Sequence, residues 1–188
     1  MAGLSRDLIV ERARELIELD GYEALSLRSL GRELGVTAPA LYDHVDSKQH
    51  ILGLVARVGY DELRDRVSVD RDRAVDRVRS SAHAYVAFAL ENRELFRLML
   101  LYPPADIPSA ADSSLDDSIR VLDTGMSDVQ AAIDEGDFAP ADPFRIAVAL
   151  WAATHGVATV LVMAPDLGPQ LIDDVVDPLL TGFGIRAT

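Results

Sequence analysis

The stretch Ser26–Lys48, SLRSLGRELGVTAPALYDHVDSK, constrains this chain more than any other. Leu27, Leu30 and Leu34 fall at i, i+3 and i+7, the apolar stripe of a short helix. Gly35 supplies a residue able to leave that helix with positive φ, and Val36 plugs the corner. A second helix is expected to open at Thr37, with the Thr37 hydroxyl as its cap and Pro39 in a first turn where no backbone donor is missed. Leu41 and Val45, four residues apart, turn toward Leu30 and Leu34 as core. Two short helices crossing steeply at a glycine turn make a helix-turn-helix, whose second helix fits the DNA major groove.

Around this motif the spacing of apolar residues predicts an all-α chain. A first helix over roughly Arg6 to Leu19 has Ser5 as cap and buries Ile9, Ala13, Leu16 and Ile17. A fourth helix runs from Ser47 to about Val67, with Ile51, Leu52, Val55 and Leu63 inward. After a break at Ser68–Asp72, helical periodicity returns over Arg73–Asn92. A short apolar helix covers Glu94–Tyr102, stopped by Pro103-Pro104. A loop is expected over Ala105–Ser114, then a long helix to about Glu135, ended by Gly136-Asp137. Asp142-Pro143 is a cap followed by proline at the first helical position, and Gln170–Phe183 forms a final amphipathic helix.

The helix from Pro143 to about Ala164 carries nineteen uncharged residues in succession from Ile146. That length approaches a bilayer span. His155, Thr154 and Thr159 interrupt the run, however, and neither flank carries a lysine or arginine cluster, so a buried helix of a bundle is the expectation. Its small residues Ala149, Ala152, Ala153, Gly156 and Ala158 permit close approach by another helix.

The chain of 188 residues contains no cysteine, which excludes disulfides, thiolate metal sites and Cys nucleophiles. Charges interleave the apolar residues of MAGLSRDLIVERARELI, so this is not read as a signal peptide, and a cytoplasmic location is expected. The net charge of −13 is unevenly divided: residues 1–100 carry 15 basic and 17 acidic side chains, residues 101–188 carry 3 and 14. The acid therefore lies mostly outside the helix-turn-helix. Within residues 1–50 there are still 6 basic against 9 acidic side chains, so DNA affinity has to rest on a few well-placed cations and helix N-termini.

Gly35-Val36, Ala40-Leu41-Tyr42, His44-Val45 and Ser47-Lys48, preceded by Asp20-Gly21-Tyr22 and Leu25-Ser26-Leu27, resemble the DNA-binding signature of tetracycline-repressor (TetR) family regulators. A second resemblance lies in Glu94-Leu95-Phe96-Arg97-Leu98-Met99 and in Trp151-x-x-x-His155-Gly156. These are similar to the C-terminal domain of the TetR branch named for a Trp, a His and a Gly. The resemblance implies an N-terminal three-helix DNA-binding domain over residues 1–50, a linking helix over about 47–67, and a helical ligand-binding and dimerisation domain over 68–188, about nine helices in all. It further implies a ligand-responsive regulator, in the usual case a repressor that binds a palindromic operator on double-stranded DNA as a homodimer through its last two helices. A small, mostly apolar effector releases it; no cofactor, metal or membrane is involved.

For base readout, Arg28 stands near the start of the supporting helix, where the resemblance places a base-contacting arginine; its planar fork matches O6 and N7 of guanine. A phosphate contact or a surface salt bridge is the alternative. Thr37, Ala38, Pro39 and Ala40 open the recognition helix and face the groove floor. Ala38 and Ala40 offer only methyl contact with thymine, a departure from the polar residues of many relatives. Tyr42, His44 and Lys48 match the family's phosphate clamps, although the Tyr42 ring can instead pack beneath the head. Asp43 is anomalous, since an acid facing DNA repels phosphate.

In the C-terminal half, Tyr85, Phe88, Phe96 and Met99 are candidates to line an effector cavity. Tyr102, Met126, Trp151 and His155 complete that candidate set, because aromatic and Met side chains with few polar tips suit an apolar ligand. The alternative for each is an ordinary bundle core. No His or carboxylate stands three or four residues from His155 to complete a metal pair. An enzyme is not expected, for there is no Gly-x-Ser-x-Gly elbow, phosphate-binding glycine loop or His-Glu-x-x-His pair, and Asp116-Asp117 and Asp173-Asp174 read as solvated faces. An interaction module that keeps this fold without operator binding is the remaining rival.

Overall fold

The computed structural model describes residues 4–101 and 122–184. Tyr102 and the loop expected over Ala105–Ser114 lie outside the described residues. Among the described residues the regular structure is nine helices, a π turn and a 3-10 turn; extended pairing is confined to one bridge between Phe138 and Gly184. The all-α expectation holds. Two compact units share these elements. Residues 4–61 and 92–101 form the first, and residues 62–91 and 122–184 form the second.

In the first unit, α1 (Arg6–Asp20) begins where the Ser5 side chain accepts a hydrogen bond from the Leu8 amide at 3.2 Å, and it buries Ile9, Ala13 and Ile17. The helix-turn-helix follows as α2 (Leu27–Leu34) and α3 (Ala38–Leu41). Ser26 and Ser29 close a reciprocal cap on α2, with the Ser29 amide donating to Ser26 Oγ at 3.0 Å and the Ser26 amide donating to Ser29 Oγ at 3.1 Å. Gly35 ends α2 in the left-handed region at φ 67°, as its place in the turn requires. Leu30, Leu41 and Val45 are buried, together with Ile51, Leu52 and Val55 of α4 (Lys48–Val67).

The apolar helix expected over Glu94–Tyr102 is instead one α turn, α6 (Arg93–Phe96), running into a π turn over Arg97–Leu101. The Tyr60 hydroxyl donates to the Met99 carbonyl at 2.8 Å, and a side chain that takes a main-chain acceptor in this way disturbs the regular ladder. Asn92–Leu100 is fastened to the head at several points. Arg14 Nη2 donates to Asn92 Oδ1 at 2.9 Å, and the Leu95 amide donates to Glu18 Oε1 at 3.0 Å. Gly59 of α4 lies so close to this segment that a Cβ there would collide with Met99 Sδ and reach 3.1 Å from Leu95. Burial pushes the Glu18 carboxyl above its ordinary value, with the Leu95 amide pulling the other way.

In the second unit, α5 (Ala74–Glu91), α8 (Pro143–Met163) and α9 (Leu171–Phe183) pack on one another, with α7 over residues 122–134 beside them in the sequence order. The start of α8 is as expected: Asp142 Oδ1 accepts from the Phe144 amide at 3.0 Å and Pro143 fills the first position. Among the described residues, α8 is the one helix long and apolar enough to cross a membrane. It is a bundle helix here, burying Ile146, Leu150, Thr154, Val157, Ala158 and Leu161. Three arginines of α5 and its approach are each matched by an aspartate: Arg73 with Asp137, Arg77 with Asp128 at 2.7 Å, and Arg79 with Asp177 at 2.7 Å.

Candidate nucleic-acid interface

Arg28 stands in the first turn of α2, exposed, and forms no hydrogen bond or ion pair among the described residues. Thr37 and Pro39 are exposed at the start of α3, with Ala38 and Ala40 half-buried beside them. The α3 segment is shorter than a typical recognition helix, four residues followed by turns. Thr37 occupies the N-cap position with extended backbone, but its side chain makes no capping bond, which corrects the expected hydroxyl cap. The hydroxyl is thereby left to solvent or to a ligand. Tyr42 is 56% exposed, so its ring is not packed beneath the head.

Two of the expected clamps are tied into the head by their own contacts. Lys48 Nζ donates to the Glu23 carbonyl at 2.8 Å, and partial burial lowers its pKa while the Glu23 charge opposes that shift. The carbonyl of half-buried His44 accepts from Arg6 Nε at 3.2 Å, which draws the start of α1 to the end of the motif. Asp43 is exposed with no ion pair among the described residues. Asp46 meets His50 Nδ1 at 3.0 Å.

Gly31 was not singled out by its sequence spacing, yet it governs the corner. It is buried, and a Cβ there would stand 2.9 Å from the Val36 carbonyl oxygen and 3.5 Å from the Ala38 nitrogen. The available signal was a small residue four positions before the turn glycine, inside a helix that would otherwise favour alanine.

The second unit holds a cavity of about 80 Å³ among α5, α7 and α8, with Tyr85 and Trp151 on its wall. Val78, Val129, Ala147 and Leu150 are among its apolar lining residues. Of the other expected lining residues, Phe88, Met126 and His155 belong to this unit without lining the cavity. His155 stands directly behind it: its Nδ1 lies 2.9 Å from the Tyr85 hydroxyl, and its ring stacks on Trp151 at 5.4 Å. Phe96 and Met99 do not line this cavity. Both are core residues of the first unit, where the close approach of Gly59 holds Met99.

Burial pushes the His155 pKa below its ordinary value. As pH falls below about 6.5, the unfolded chain therefore takes up a proton that the folded chain resists. Stability present above that pH is lost on the way down through the lowered folded pKa. His155→Gln is expected to flatten the acid side of a thermal-unfolding profile between pH 6.5 and 5; an unchanged profile would mean His155 carries none of it.

Comparison with known proteins agrees with both halves. The profile of the bacterial regulatory proteins, tetR family, matches residues 9–55, and that of the tetracyclin repressor-like C-terminal domain matches residues 78–182. The uncharacterized HTH-type transcriptional regulator YobS of Bacillus subtilis is 35% identical over 101 residues. The match spans 53% of this chain and 53% of YobS, little more than half the relative's length. A protein with unknown function from Rhodococcus sp. RHA1 is 31% identical, with TM-score 0.84 over 97% of each chain. The fold is also that of AibR, whose structure contains isovaleryl coenzyme A and operator DNA; it is 20% identical, with TM-score 0.68 over 95% of this chain and 97% of AibR. With its C-terminal profile covering more than half the chain and its N-terminal profile lying on the helix-turn-helix, this protein belongs to the TetR family of bacterial regulatory proteins.

Proposed function

We propose that this protein is a transcriptional regulator, a repressor that binds a palindromic operator as a homodimer and lets go when a small, mostly apolar molecule fills the cavity of its second unit. The observation that carries this reading is the exposed, uncommitted surface of the helix-turn-helix: Arg28 without a partner among the described residues, and Thr37 with its hydroxyl free of a cap. In the functional division, residues 1–50 bind DNA, the helix over about 47–67 links, and 68–188 respond to ligand and dimerise. Arg28 reads a guanine, Thr37 through Ala40 meet the groove floor, and Tyr42 and His44 reach phosphates. Lys48 adds its charge while holding Glu23. The standing of Trp151, His155 and Gly156 together on α8 supports the Trp-His-Gly branch.

Support for a dimer through α8 and α9 comes from the exposed side of α8. Ala149, Ala152 and Gly156 lie along it at helical spacing, with Val160 and Met163 continuing the line. Half of the exposed large apolar side chains among the described residues are on this helix: Phe144, Trp151, Val160 and Met163. A second copy covering that face would give the assembly two recognition helices, and a palindromic operator presents half-sites about 34–36 Å apart. Coupling to the cavity has a covalent route. The wall helix α5 continues into Asn92–Leu100, the segment fastened to α1 and α4 within the first unit. A ligand that favours one placement of that segment shifts the head only by its difference in affinity for the two arrangements.

The test is a gel-shift titration against the DNA upstream of the gene over a range of salt. Sequence-specific, salt-sensitive binding is expected; weak binding blind to sequence would favour the interaction module. Arg28→Ala is expected to cost about 1–3 kcal/mol of operator affinity and to relax specificity at one base pair. A uniform loss across all sequences would instead place Arg28 on a phosphate.

A further inference from the structure

We infer that the cavity of the second unit takes an uncharged molecule of about single-ring size with one hydrogen-bonding group, held by the Thr154 hydroxyl, and rejects anions such as carboxylates and coenzyme A thioesters. This deepens the effector reading above and rests on it. Size sets the first limit. The cavity holds about 80 Å³, of the same order as the roughly 150 Å³ apolar cavity that takes a benzene in another protein. A ring or a short branched chain fits, and a nucleotide does not.

Charge sets the second limit. Among the described lining residues the only ionisable side chains are Tyr85 and Asp128, with no lysine, arginine or histidine. Arg77, which pairs with the lining residue Asp128, is held by it at 2.7 Å. Arg73 and Arg79 are likewise joined to Asp137 and Asp177. An entering anion would meet the Asp128 carboxylate and, among the described residues, would have to break an existing pair to gain a counter-charge. Losing its hydration without a partner costs far more than the apolar contact of so small a ligand returns.

The hydrogen-bonding inventory sets the third. Ser81 Oγ donates to the Val67 carbonyl at 2.6 Å, Tyr85 OH is engaged with His155 Nδ1 at 2.9 Å, and Thr124 is also engaged. Thr154 is 5% exposed, lines the cavity, and its hydroxyl forms no hydrogen bond among the described residues. A buried hydroxyl can both donate and accept, so one polar group on an otherwise apolar ligand satisfies it.

Trp151 is the only tryptophan of the chain and stands on the cavity wall, so its fluorescence reports occupancy. The full-length protein would be titrated with benzyl alcohol, toluene, benzoate and isovaleryl coenzyme A, following Trp151 emission and the ligand-induced shift in melting temperature. Benzyl alcohol is expected to bind roughly two- to twelvefold more tightly than toluene, the span of one ordinary hydrogen bond, with no saturable binding of the two anions. Thr154→Val, near-isosteric, is expected to erase that preference while toluene still binds. Ala82→Phe, which fills the cavity, is expected to abolish both. Tighter binding of either anion, an unchanged preference in Thr154→Val, or no binding of any of the four overturns the inference. Gel shifts with the same probes separate the two levels. Binding as expected without operator release leaves the ligand class standing and removes the effector reading, whereas release by isovaleryl coenzyme A alone does the reverse.

Discussion

Gly156→Arg is expected to leave each chain folded while converting the proposed dimer to a monomer that binds operator at least a hundredfold more weakly. Gly156 is exposed on α8, and a Cβ there would meet nothing within 4 Å, so the chain itself tolerates a side chain at this point. The cost falls on a second copy. A face of Ala149, Ala152 and Gly156 lets another helix approach closely, and an arginine placed there both props the helices apart and has its charge removed from water without a partner. Losing the second half-site removes an avidity of about 10²–10⁴, which sets the size of the expected effect. Sedimentation velocity gives the oligomeric state, a gel shift gives the affinity, and the melting temperature controls for folding. A variant that sediments as a dimer would move the interface off α8.

The features legible in the sequence are those decided by a few neighbouring residues. Gly35 is in the left-handed region at φ 67°, Asp142 caps α8, and Leu41 and Val45 are core, because turn geometry, capping and helical period act over a handful of positions. Local chemistry misled at Thr37, where a good capping residue at the right place makes no cap bond. What escaped the sequence depends on partners far along the chain. Phe96 and Met99 carry the same apolar character as Tyr85, and composition cannot say which of two cores receives them. The answer lies in the Tyr60–Met99 bond and in the room left by Gly59, contacts across about forty residues. Lys48 reads as a phosphate clamp, and its bond to the Glu23 carbonyl joins residues twenty-five apart that no local pattern links. Asn92 is similar: nothing in Leu90-Glu91-Asn92 marks it as the acceptor for Arg14 of α1.

The other large effect is expected at Gly31. Gly31→Val should reduce operator affinity by more than a hundredfold while leaving the second unit folded. In an unconstrained helix interior alanine is better than glycine by about 1 kcal/mol, so a glycine at this buried position of α2 marks a close approach. The atoms that a Cβ would meet are main-chain ones, the Val36 carbonyl oxygen at 2.9 Å and the Ala38 nitrogen at 3.5 Å. They cannot swing aside as a side-chain tip would. The Val36 amide also donates to the Gly31 carbonyl at 2.8 Å, so the same corner is closed by a hydrogen bond that any widening stretches. Relief therefore comes only by moving the start of α3 away from α2, which displaces Thr37 through Ala40 relative to Arg28. Gly31→Ala should show this in reduced form, with about 1–3 kcal/mol of overpacking strain partly offset by the gain in helix propensity. Valine adds two methyl groups against the same backbone and has little rotamer freedom in a helix. Trp151 emission, which comes from the second unit alone, separates a local failure of the corner from general unfolding. Unchanged emission with lost operator binding is the expected pair of results. Wild-type affinity in Gly31→Val would mean that the α2–α3 corner does not set the geometry of DNA contact.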